Sequence, residues 1–366
     1  MPVFVCGPLC HLPLLAAVLG RNPGNAAARL AGYWIEGRDW PVLVADPGGS
    51  VPGLLLSDLT DDDTARLAFY GGGGAWQAGV VMPQDRPPQI SVRFQPGDGD
   101  GEGVWNLEAW RARFGATAVA TAGDMLALYG QRGAAEVAAR RMAMLVRGSS
   151  RARAATDAAP ATLRRVASDG DVALSSYRQP YAKFFAIEEY DLAYRRFDGN
   201  LSENVTCAAF VSGDAVTVLP YDPLRDRVML VEQFRAGAYA RGDRNPWSLE
   251  AIAGRIDPGE TPEEAARREA AEEAGLHLGQ MLHVADYYPS PGAKSEYLYS
   301  YVALADLPDS AAGMGGVEEE AEDIKGHVVG FARMMELIAS GEIGNAPLIL
   351  TAFWLQRERE RLRSGK

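Results

Sequence analysis

Residues 254–276, GRIDPGETPEEAARREAAEEAGL, are the stretch around which this 366-residue chain is organised. Thr261, Pro262 and Glu264 predict the start of a helix. Threonine caps a first turn, proline suits the first helical position, and a glutamate three residues after the cap completes a capping box. Gly275 stands where a left-handed residue ends a helix. The pattern therefore predicts a helix from Pro262 to Ala274.

Three glutamates of this predicted helix share one face. Glu269, Glu272 and Glu273 stand at positions i, i+3 and i+4, so their like charges are crowded together. A hard divalent cation such as Mg²⁺ relieves that repulsion, because it takes oxygen ligands and shares them with substrate phosphates. The alternative is an acidic face in solvent, the usual place for a glutamate-rich run. The regular spacing of the surrounding glycines and charged residues favours the metal site.

The stretch also fits the pattern G-x5-E-x7-R-E-U-x-E-E-x-G-U, in which U is apolar. The fixed positions are filled by Gly254, Glu260, Arg268, Glu269, Glu272, Glu273, Gly275 and Leu276, with Ala270 at the first apolar position. This pattern is the Nudix box, called the box below, and in this stretch the chain resembles the Nudix hydrolase family. The resemblance implies hydrolysis of a nucleoside diphosphate linked to another moiety, with Mg²⁺ as the cofactor and Mn²⁺ as a substitute. Two or more such ions clamp the attacking and leaving oxygens.

Four further segments narrow the resemblance to the ADP-ribose pyrophosphatase branch of that family. They are EQFRAGAY (232–239), EAIAG (250–254), SPGAKSE (290–296) and EDI (322–324). The implied reaction is cleavage of ADP-ribose to AMP and ribose 5-phosphate. Another nucleoside diphosphate sugar such as GDP-mannose, or a non-catalytic ADP-ribose sensor, remains an alternative. The order of strands, box helix, strand and final helix predicts an α/β/α sandwich with a mixed sheet.

The resemblance also assigns roles around the metal. The implied ligands are the backbone carbonyl of Ala253 and the carboxylates of Glu269, Glu272, Glu273 and Glu322. Glu320, on the late acidic loop 316–324, is the implied general base, with Glu322 or a glutamate of the box as alternatives. Arg268 is expected to orient the box glutamates, of which Glu269 and Glu273 are the principal catalytic ligands, and Glu260 is expected to be structural.

Three residues are expected to bind substrate. Arg235 is the implied clamp on the terminal phosphate or ribose, and Glu296 is implied to recognise a hydroxyl group. Phe184 aligns with an aromatic residue that stacks on adenine, although a residue in the core of a strand is an alternative. Members of this branch form homodimers through the strands before the box. Cys207 and Ala208 stand where relatives have an Arg-Glu pair that helps to hold substrate across the dimer interface.

The first part of the chain predicts a separate, small mixed α/β-barrel domain. Its order of strands and helices resembles the gamma-glutamylcyclotransferase-like family, with Cys6-Gly7-Pro8-Leu9 as the first turn. Gly71 occupies the position of that family's catalytic glutamate, so we expect no cyclotransferase activity. We predict a cyclotransferase-like domain over residues 1–125, a helical connector and linker over 126–168, and a Nudix domain over 169–366. This combination resembles Nudix-type tellurite-resistance proteins.

Composition limits the partners and the compartment. The net charge of −12 disfavours nucleic acid and anionic membrane as partners, while a metal and local arginines still allow a small anionic substrate. The three cysteines, Cys6, Cys10 and Cys207, are too few and too scattered for a disulfide framework. The sequence has no signal-peptide pattern and no apolar run of membrane-spanning length, so we expect a cytoplasmic protein.

Overall fold

The chain forms two compact units, Met1–Thr162 and Leu163–Lys366. The computed structural model describes residues 2–37, 39, 41–73, 77–83, 89–94, 105–157, 159–316 and 323–365. Among these residues, no helix is both long enough and apolar enough to cross a lipid bilayer.

The first unit is built on a ring of strands. These are β1 (Val3–Cys6), β2 (Gly24–Glu36), β3 (Val42–Ser57), β4 (Gln77–Pro83) and β5 (Gln89–Phe94). They pair in the order β1-β3-β2-β4-β5, and a parallel pairing of β1 with β5 closes the ring into a barrel. Side chains alternate across β1. Phe4 packs inside the barrel with Leu30 and Val51, whereas Val3 and Val5 pack outwards against helices.

The helices of the first unit cover one side of the barrel. They are α1 (Leu12–Leu19), α2 (Asp61–Tyr70), α3 (Leu107–Leu126), α4 (Ala134–Ala138) and α5 (Arg141–Thr156), with a short 3-10 helix at Gly7–Cys10. Thr60 caps α2, because its side chain accepts from Asp63 N and the Asp63 side chain accepts from Thr60 N in return. Gly71 follows directly as the C-terminal cap of α2. The likeness of this unit to cyclotransferases stays a prediction.

The boundary between the two units falls after Thr162, within the 126–168 segment predicted as a helical connector and linker. Gly148 to Thr156, whose composition suggested a linker, forms the second half of α5. A Cβ atom at Gly148 would lie 2.1 Å from Thr121 Oγ1 on α3, so the glycine permits close packing of two helices. Arg147 and Arg151, also on α5, form ion pairs with the buried Asp124 of α3. Gly148, Arg147 and Arg151 therefore join α5 to α3.

The second unit contains two sheets. Its strands are β6 (Val172–Ala182), β7 (Ala186–Tyr194), β8 (Val205–Val211), β9 (Ala215–Asp222), β10 (Arg227–Phe234), β11 (Trp247–Glu250), β12 (Ile252–Arg255), β13 (Met281–Tyr287), β14 (Leu298–Leu304), β15 (Met314–Gly315) and β16 (Ile324–Gly330). Strands β6, β7 and β8 form an antiparallel sheet. The larger sheet has the order β13-β14-β9-β10-β16-β15, with β11 paired to β10 and β12 to β9. Since β9 and β14 run parallel and the other pairs antiparallel, the larger sheet is mixed, as predicted.

Helices lie on both faces of the mixed sheet. They are α6 (Ala236–Arg241), α7 (Pro262–Ala274), α8 (Phe331–Ser340) and α9 (Ala346–Arg363), with a 3-10 turn at Asp309–Ala311. The buried alanines of α7 pack on Val216 and Val231. On the opposite face, Leu219 and Leu230 pack with Leu348 of α9 and with α8. Alternate residues of β9 and β10 thus pack into two cores, one on each face of the sheet. The second unit is therefore the α/β/α sandwich that the sequence predicts.

Candidate active site

Helix α7 begins and ends where the sequence predicts. Thr261 Oγ1 accepts a hydrogen bond from Glu264 N at 3.3 Å, and Glu264 Oε2 accepts from Thr261 N at 2.8 Å. At the other end, Gly275 has a φ of 61° and its N–H bonds to carbonyls of the last turn. The three alanines Ala265, Ala266 and Ala270 are fully buried, because the helix lies directly on the sheet. This fixed position brings the glutamate face of the helix against β12.

Two of the box carboxylates are nearly buried against β12. Glu269 is 9% exposed and Glu273 is 2% exposed. Glu273 Oε2 accepts from Ala253 N at 3.4 Å. A Cβ atom at Gly254 would lie 1.8 Å from Glu269 Oε1, so the carboxylate occupies the space that any other residue's side chain would need. The absence of a side chain at Gly254 therefore makes room for the carboxylate of Glu269.

Arg268 holds the cluster together. Its Nη1 donates to Glu269 Oε1 at 2.8 Å and to Glu272 Oε2 at 3.0 Å, while its Nε donates to Glu260 Oε1 at 2.8 Å. A further bond runs from Nη2 to the carbonyl of Arg255 at 2.9 Å. Burial alone would lower the pKa of Arg268, but the hydrogen bond to Glu260 and the charges of Glu269 and Glu260 outweigh it and raise the pKa. These are the contacts expected of a residue that orients the glutamates.

Glu260 fixes the loop that precedes the helix. Its Oε2 accepts from Asp257 N at 3.0 Å in addition to the bonds from Arg268. Burial works to raise the pKa of Glu260, and the bonds from Arg268 and Asp257 lower it by more, so the net shift is downward. Because this carboxylate is committed to the loop and to Arg268, the contacts agree with the structural role expected for it.

The chain returns to the end of α7 just before the acidic loop. Gly316 N donates to the carbonyl of Glu272 at 3.2 Å. A Cβ atom at Gly315 would lie 1.9 Å from the carbonyl oxygen of Glu273, so the glycine allows β15 to touch the helix. Glu320 and Glu322, the expected base and metal ligand, lie outside the described residues. The residue at which their loop begins is held beside the box glutamates.

The three expected substrate residues lie on separate elements. Arg235 forms a two-pronged ion pair with Glu250, with Nε–Oε1 at 3.1 Å and Nη2–Oε2 at 2.7 Å. Glu296 accepts from Lys294 Nζ at 3.2 Å. Phe184 lies in the turn between β6 and β7 and is 62% exposed, so the alternative of a core residue is wrong.

Sequence reasoning missed two of these partners. It gave no role to Glu250, a nearly buried carboxylate between apolar residues, which the structure pairs with Arg235. It also gave none to Arg255, whose guanidinium carbon lies 4.0 Å from the centre of the Phe184 ring, a cation–π contact. A charged residue inside an apolar stretch was the available signal for Glu250.

Comparisons with known proteins identify the family of the chain. The NUDIX domain model matches residues 211–349. The ADP-ribose pyrophosphatase of Escherichia coli strain K12 is 38% identical over 194 residues, which are 53% of this chain and 92% of that relative. The chain is a member of the Nudix family. Two other similar proteins are the ADP-ribose pyrophosphatase of Haemophilus influenzae (36% over 191 residues, 52% and 88%) and the GDP-mannose pyrophosphatase of Salmonella paratyphi A (33% over 144 residues, 39% and 74%).

Nudix hydrolases generally need a divalent metal, and the donors in this chain fit one chemically. One guanidinium, that of Arg268, serves Glu260, Glu269 and Glu272, which leaves the cluster with excess negative charge and only oxygen donors. Among the residues that the structure describes, no three acidic, histidine or cysteine side chains surround one point closely enough to hold a metal. Since Arg268 Nη1 is bonded to both Glu269 and Glu272, metal binding requires these side chains to turn.

Cys207, where the resemblance implies a departure from the family's Arg-Glu pair, lies on the small sheet. Cys207 is exposed and pairs with Tyr190 of β7. Leu174, Leu192 and Val205 lie side by side on the same face of that sheet, since β6, β7 and β8 are in register at these positions. The face of the small sheet that carries these residues is therefore apolar and partly open to solvent.

Proposed function

We propose that this Nudix protein hydrolyses the pyrophosphate of ADP-ribose to AMP and ribose 5-phosphate, with Mg²⁺ as cofactor and Mn²⁺ as a substitute. The observation that carries the proposal is the cluster of Glu269, Glu272 and Glu273, held by Arg268 against β12. A cluster of carboxylates that can hold divalent metal is what cleavage of a pyrophosphate needs. The 38% identity to an ADP-ribose pyrophosphatase supports the choice of substrate.

The reaction needs one water molecule and one bond cleavage. The water oxygen adds to a phosphorus atom of the pyrophosphate, and the bond from that phosphorus to the bridging oxygen breaks, which leaves two phosphate monoesters. When bound, the metal neutralises the pyrophosphate charge. The residues that would hold it are the Ala253 carbonyl, Glu269, Glu272, Glu273 and Glu322.

The chain's own groups position the reactants. Arg268 keeps the carboxylates of Glu269 and Glu272 side by side in the free protein, so a rotation of these two side chains is enough to turn them towards a metal. We assign to Glu320 the role of general base, which takes a proton from the attacking water. Arg235, aligned by Glu250, is proposed to bind the terminal phosphate or ribose.

The adenine and ribose ends are assigned to two other residues. Phe184 exposes one ring face and carries Arg255 over the other, so a base would stack on an aromatic ring already fixed by a cation. Glu296 is proposed to accept from a ribose hydroxyl. The Lys294 ammonium bonded to its Oε2 restricts the direction of that carboxylate.

Cys207 gives a specific reason to test other nucleotide sugars. Without the Arg-Glu pair that the resemblance implies, fewer residues are available to select adenine over another base. One of the similar proteins, from Salmonella paratyphi A, is a GDP-mannose pyrophosphatase. The deciding assay incubates the chain with Mg²⁺ and ADP-ribose, ADP-glucose or GDP-mannose and separates the products by chromatography. AMP from ADP-ribose at the highest kcat/KM supports the proposal, and GMP from GDP-mannose at a higher value replaces it. Tight binding of ADP-ribose without AMP would make the chain a sensor.

A homodimer through the small sheet is part of the proposal. Val172, Leu174, Tyr194 and Val205 expose apolar side chains on one face of β6–β8. Apolar faces of this kind mark protein interfaces more often than free surface. Sedimentation of wild type and of Leu174→Glu tests it: we expect a dimer that the charge converts to monomer. A monomeric wild type contradicts it.

We propose that the first unit is a cyclotransferase-like domain without cyclotransferase activity, in a protein of the cytoplasm with small-molecule substrates rather than nucleic acid or membrane as partners. Gly71 has no acid or base to offer at the position where that chemistry needs a carboxylate. The proposed link to Nudix-type tellurite-resistance proteins rests only on the combination of these two domains. Release of 5-oxoproline from gamma-glutamyl substrates by the full chain would overturn the expected inactivity.

A further inference from the structure

One face of β10 carries core residues at one end and lies next to the proposed substrate residue Arg235 at the other. Val231 on this face packs on the alanines of α7. Side chains alternate along a strand, so Gln233 points to the same side two residues later. In the neighbouring strand β11, Glu250 lies opposite Val231 and Ser248 lies opposite Gln233. Gln233 is therefore on the α7 side of the sheet, between the apolar core and Arg235.

The ion pair of Arg235 crosses this position. Arg235 N bonds to the carbonyl of Pro246, so the backbone pairing continues one step beyond Gln233. The guanidinium nevertheless reaches Glu250, which stands opposite Val231. To do so, the Arg235 side chain runs back along the face past Gln233. Along the strand, Gln233 thus stands between the two positions that the ion pair joins, next to the arginine proposed to bind the phosphate–ribose part of the substrate.

The amide of Gln233 is buried with a donor left over. The residue is 8% exposed, and its Nε2 has no hydrogen-bond partner among the described residues. A second glutamine of the same unit provides a contrast. Gln179 is also 8% exposed, but its Nε2 donates to Glu188 Oε1 at 3.0 Å. Buried donors without a partner destabilise a fold, so native proteins keep few of them, often at functional sites.

We propose that Gln233 is a substrate-binding residue whose Nε2 donates a hydrogen bond to an oxygen of the phosphate–ribose portion of a nucleoside diphosphate sugar, beside Arg235. The inference rests on the proposed function and adds a specific contact to it. A neutral amide suits this place, because it supplies a donor without adding charge to the Arg235–Glu250 pair. The donor is unpaired and almost without accessible surface in the free protein, so it becomes paired when the Arg235 side chain moves to bind substrate and uncovers it.

Replacing Gln233 by methionine tests the proposal, because methionine keeps the length of the side chain and removes both polar atoms. We expect KM for ADP-ribose to rise roughly 10- to 100-fold with kcat little changed, as for a lost hydrogen bond to a charged group. We also expect the melting temperature without substrate to stay the same or rise, since no bond of the free protein is lost. Unchanged KM, or a fall in melting temperature that accounts for the loss of activity, overturns the proposal.

Two further variants separate donor from structure. Gln233→Glu keeps the shape and the acceptor but removes the donor and adds a charge that repels phosphate, so it should bind ADP-ribose more weakly than Gln233→Met does. Binding as tight as in wild type contradicts the donor role. Gln179→Met is the matched control: it leaves the buried Glu188 with one donor fewer, so its melting temperature should fall.

The failure of this inference is distinguishable from failure of the proposed function. ADP-ribose binding is followed by the shift in melting temperature, and cleavage by the appearance of AMP. A wild type that binds ADP-ribose without cleaving it refutes the enzyme but leaves the Gln233 comparison intact. A wild type that cleaves ADP-ribose with Gln233→Met equally effective refutes the contact alone. A wild type that does neither refutes both.

Discussion

Gly254 and Glu269 occupy what would be a single side-chain position. An ideal Cβ on Gly254 would lie 1.8 Å from Glu269 Oε1 and 1.9 Å from its Cδ. The backbone of Gly254 is ordinary β-strand within β12, so the left-handed region does not explain the glycine. The carboxylate itself is the reason, since it fills the place above the strand that glycine leaves open.

Gly254→Ala should therefore reduce activity strongly while the protein stays folded. The added methyl group displaces the Glu269 carboxylate, and a displacement of about 1 Å at a reacting centre can cost about 100-fold in rate. Because Glu269 is a flexible side chain, we expect it to move rather than the strand, at a cost of about 1–3 kcal/mol in the free energy of unfolding. Steady-state kinetics with ADP-ribose and urea denaturation measure the two effects.

The matched control for this prediction is Gly344→Ala. No atom lies within 4 Å of a Cβ at Gly344, which stands between α8 and α9, so activity and stability should both change little. If Gly254→Ala kept most of its kcat, the exact position of Glu269 would not matter to catalysis, and its assignment as a principal ligand would be wrong.

Glu273→Gln tests the metal assignment. Gln keeps the size of the nearly buried side chain but removes a charged oxygen from the cluster. We expect kcat to fall roughly 100-fold or more, since the metal's contribution to charge stabilisation amounts to several kcal/mol, while the melting temperature stays close to that of wild type. Glu263→Gln, an exposed change in the first turn of the same helix, should leave activity intact. Full activity of Glu273→Gln at saturating Mg²⁺ would exclude this residue as a ligand.

The stability of the first unit should depend on pH through the ionisation of Asp63. Hydrogen bonds from Arg21 lower the pKa of this buried carboxyl from 3.8 to about 2. Since the folded pKa is the lower one, the stabilisation is fully present above about pH 4 and is lost as the pH falls towards 2. Because Arg21 is partly exposed, we expect roughly 1–2 kcal/mol at pH 7 and roughly half of that at pH 3.

Asp63→Asn isolates this contribution. The difference in urea midpoint between wild type and Asp63→Asn, followed by tryptophan fluorescence, should shrink as the pH is lowered from 7 to 3. Glu136→Gln provides the contrast, because its ion pair with Arg132 lies on the surface and contributes little at any pH. A difference for Asp63→Asn that did not change with pH would mean that the lost charge is unimportant.

Local signals in the sequence were sufficient for the box helix. Its cap, its capping box and its last residue depend on groups within four positions of one another, so Thr261, Glu264 and Gly275 could be assigned from the chain alone. The contact of Arg268 with Glu272, four positions later, follows from helical spacing in the same way. What is set by neighbours in sequence can be predicted from sequence.

Contacts between distant residues could not be predicted in this way. Gly148 looked like part of a linker because its role depends on Thr121, 27 positions earlier in the chain, across a helix interface. Arg235 was correctly selected as a functional residue, but its pairing with Glu250 follows from the register of β10 with β11. The unpaired donor of Gln233 likewise appears only when burial is known.

The choice between enzyme and sensor depends most on Glu320. Gly316, the last described residue before Glu320, donates its N–H to the backbone carbonyl of Glu272 in the last turn of α7. If Glu320 is the general base, Glu320→Gln keeps size and hydrogen bonding but cannot accept the proton. Loss of a general base typically costs about 10²- to 10⁴-fold in rate, whereas loss of a ground-state contact mainly raises KM. We therefore expect a large fall in kcat with KM and the dependence on Mg²⁺ little changed.

Two neighbours complete the test of Glu320. Glu318→Gln, a change on the same loop at a residue with no assigned role, should behave as wild type. Glu322→Gln, at a proposed metal ligand, should raise the Mg²⁺ concentration needed for half-maximal activity, since it removes a charged oxygen from the cation. If Glu320→Gln turned over ADP-ribose normally while Glu322→Gln lost activity at every Mg²⁺ concentration, the base would be Glu322 or a glutamate of the box. The proton would then be taken by a residue of the metal cluster itself, and kcat would follow the protonation of that cluster with pH.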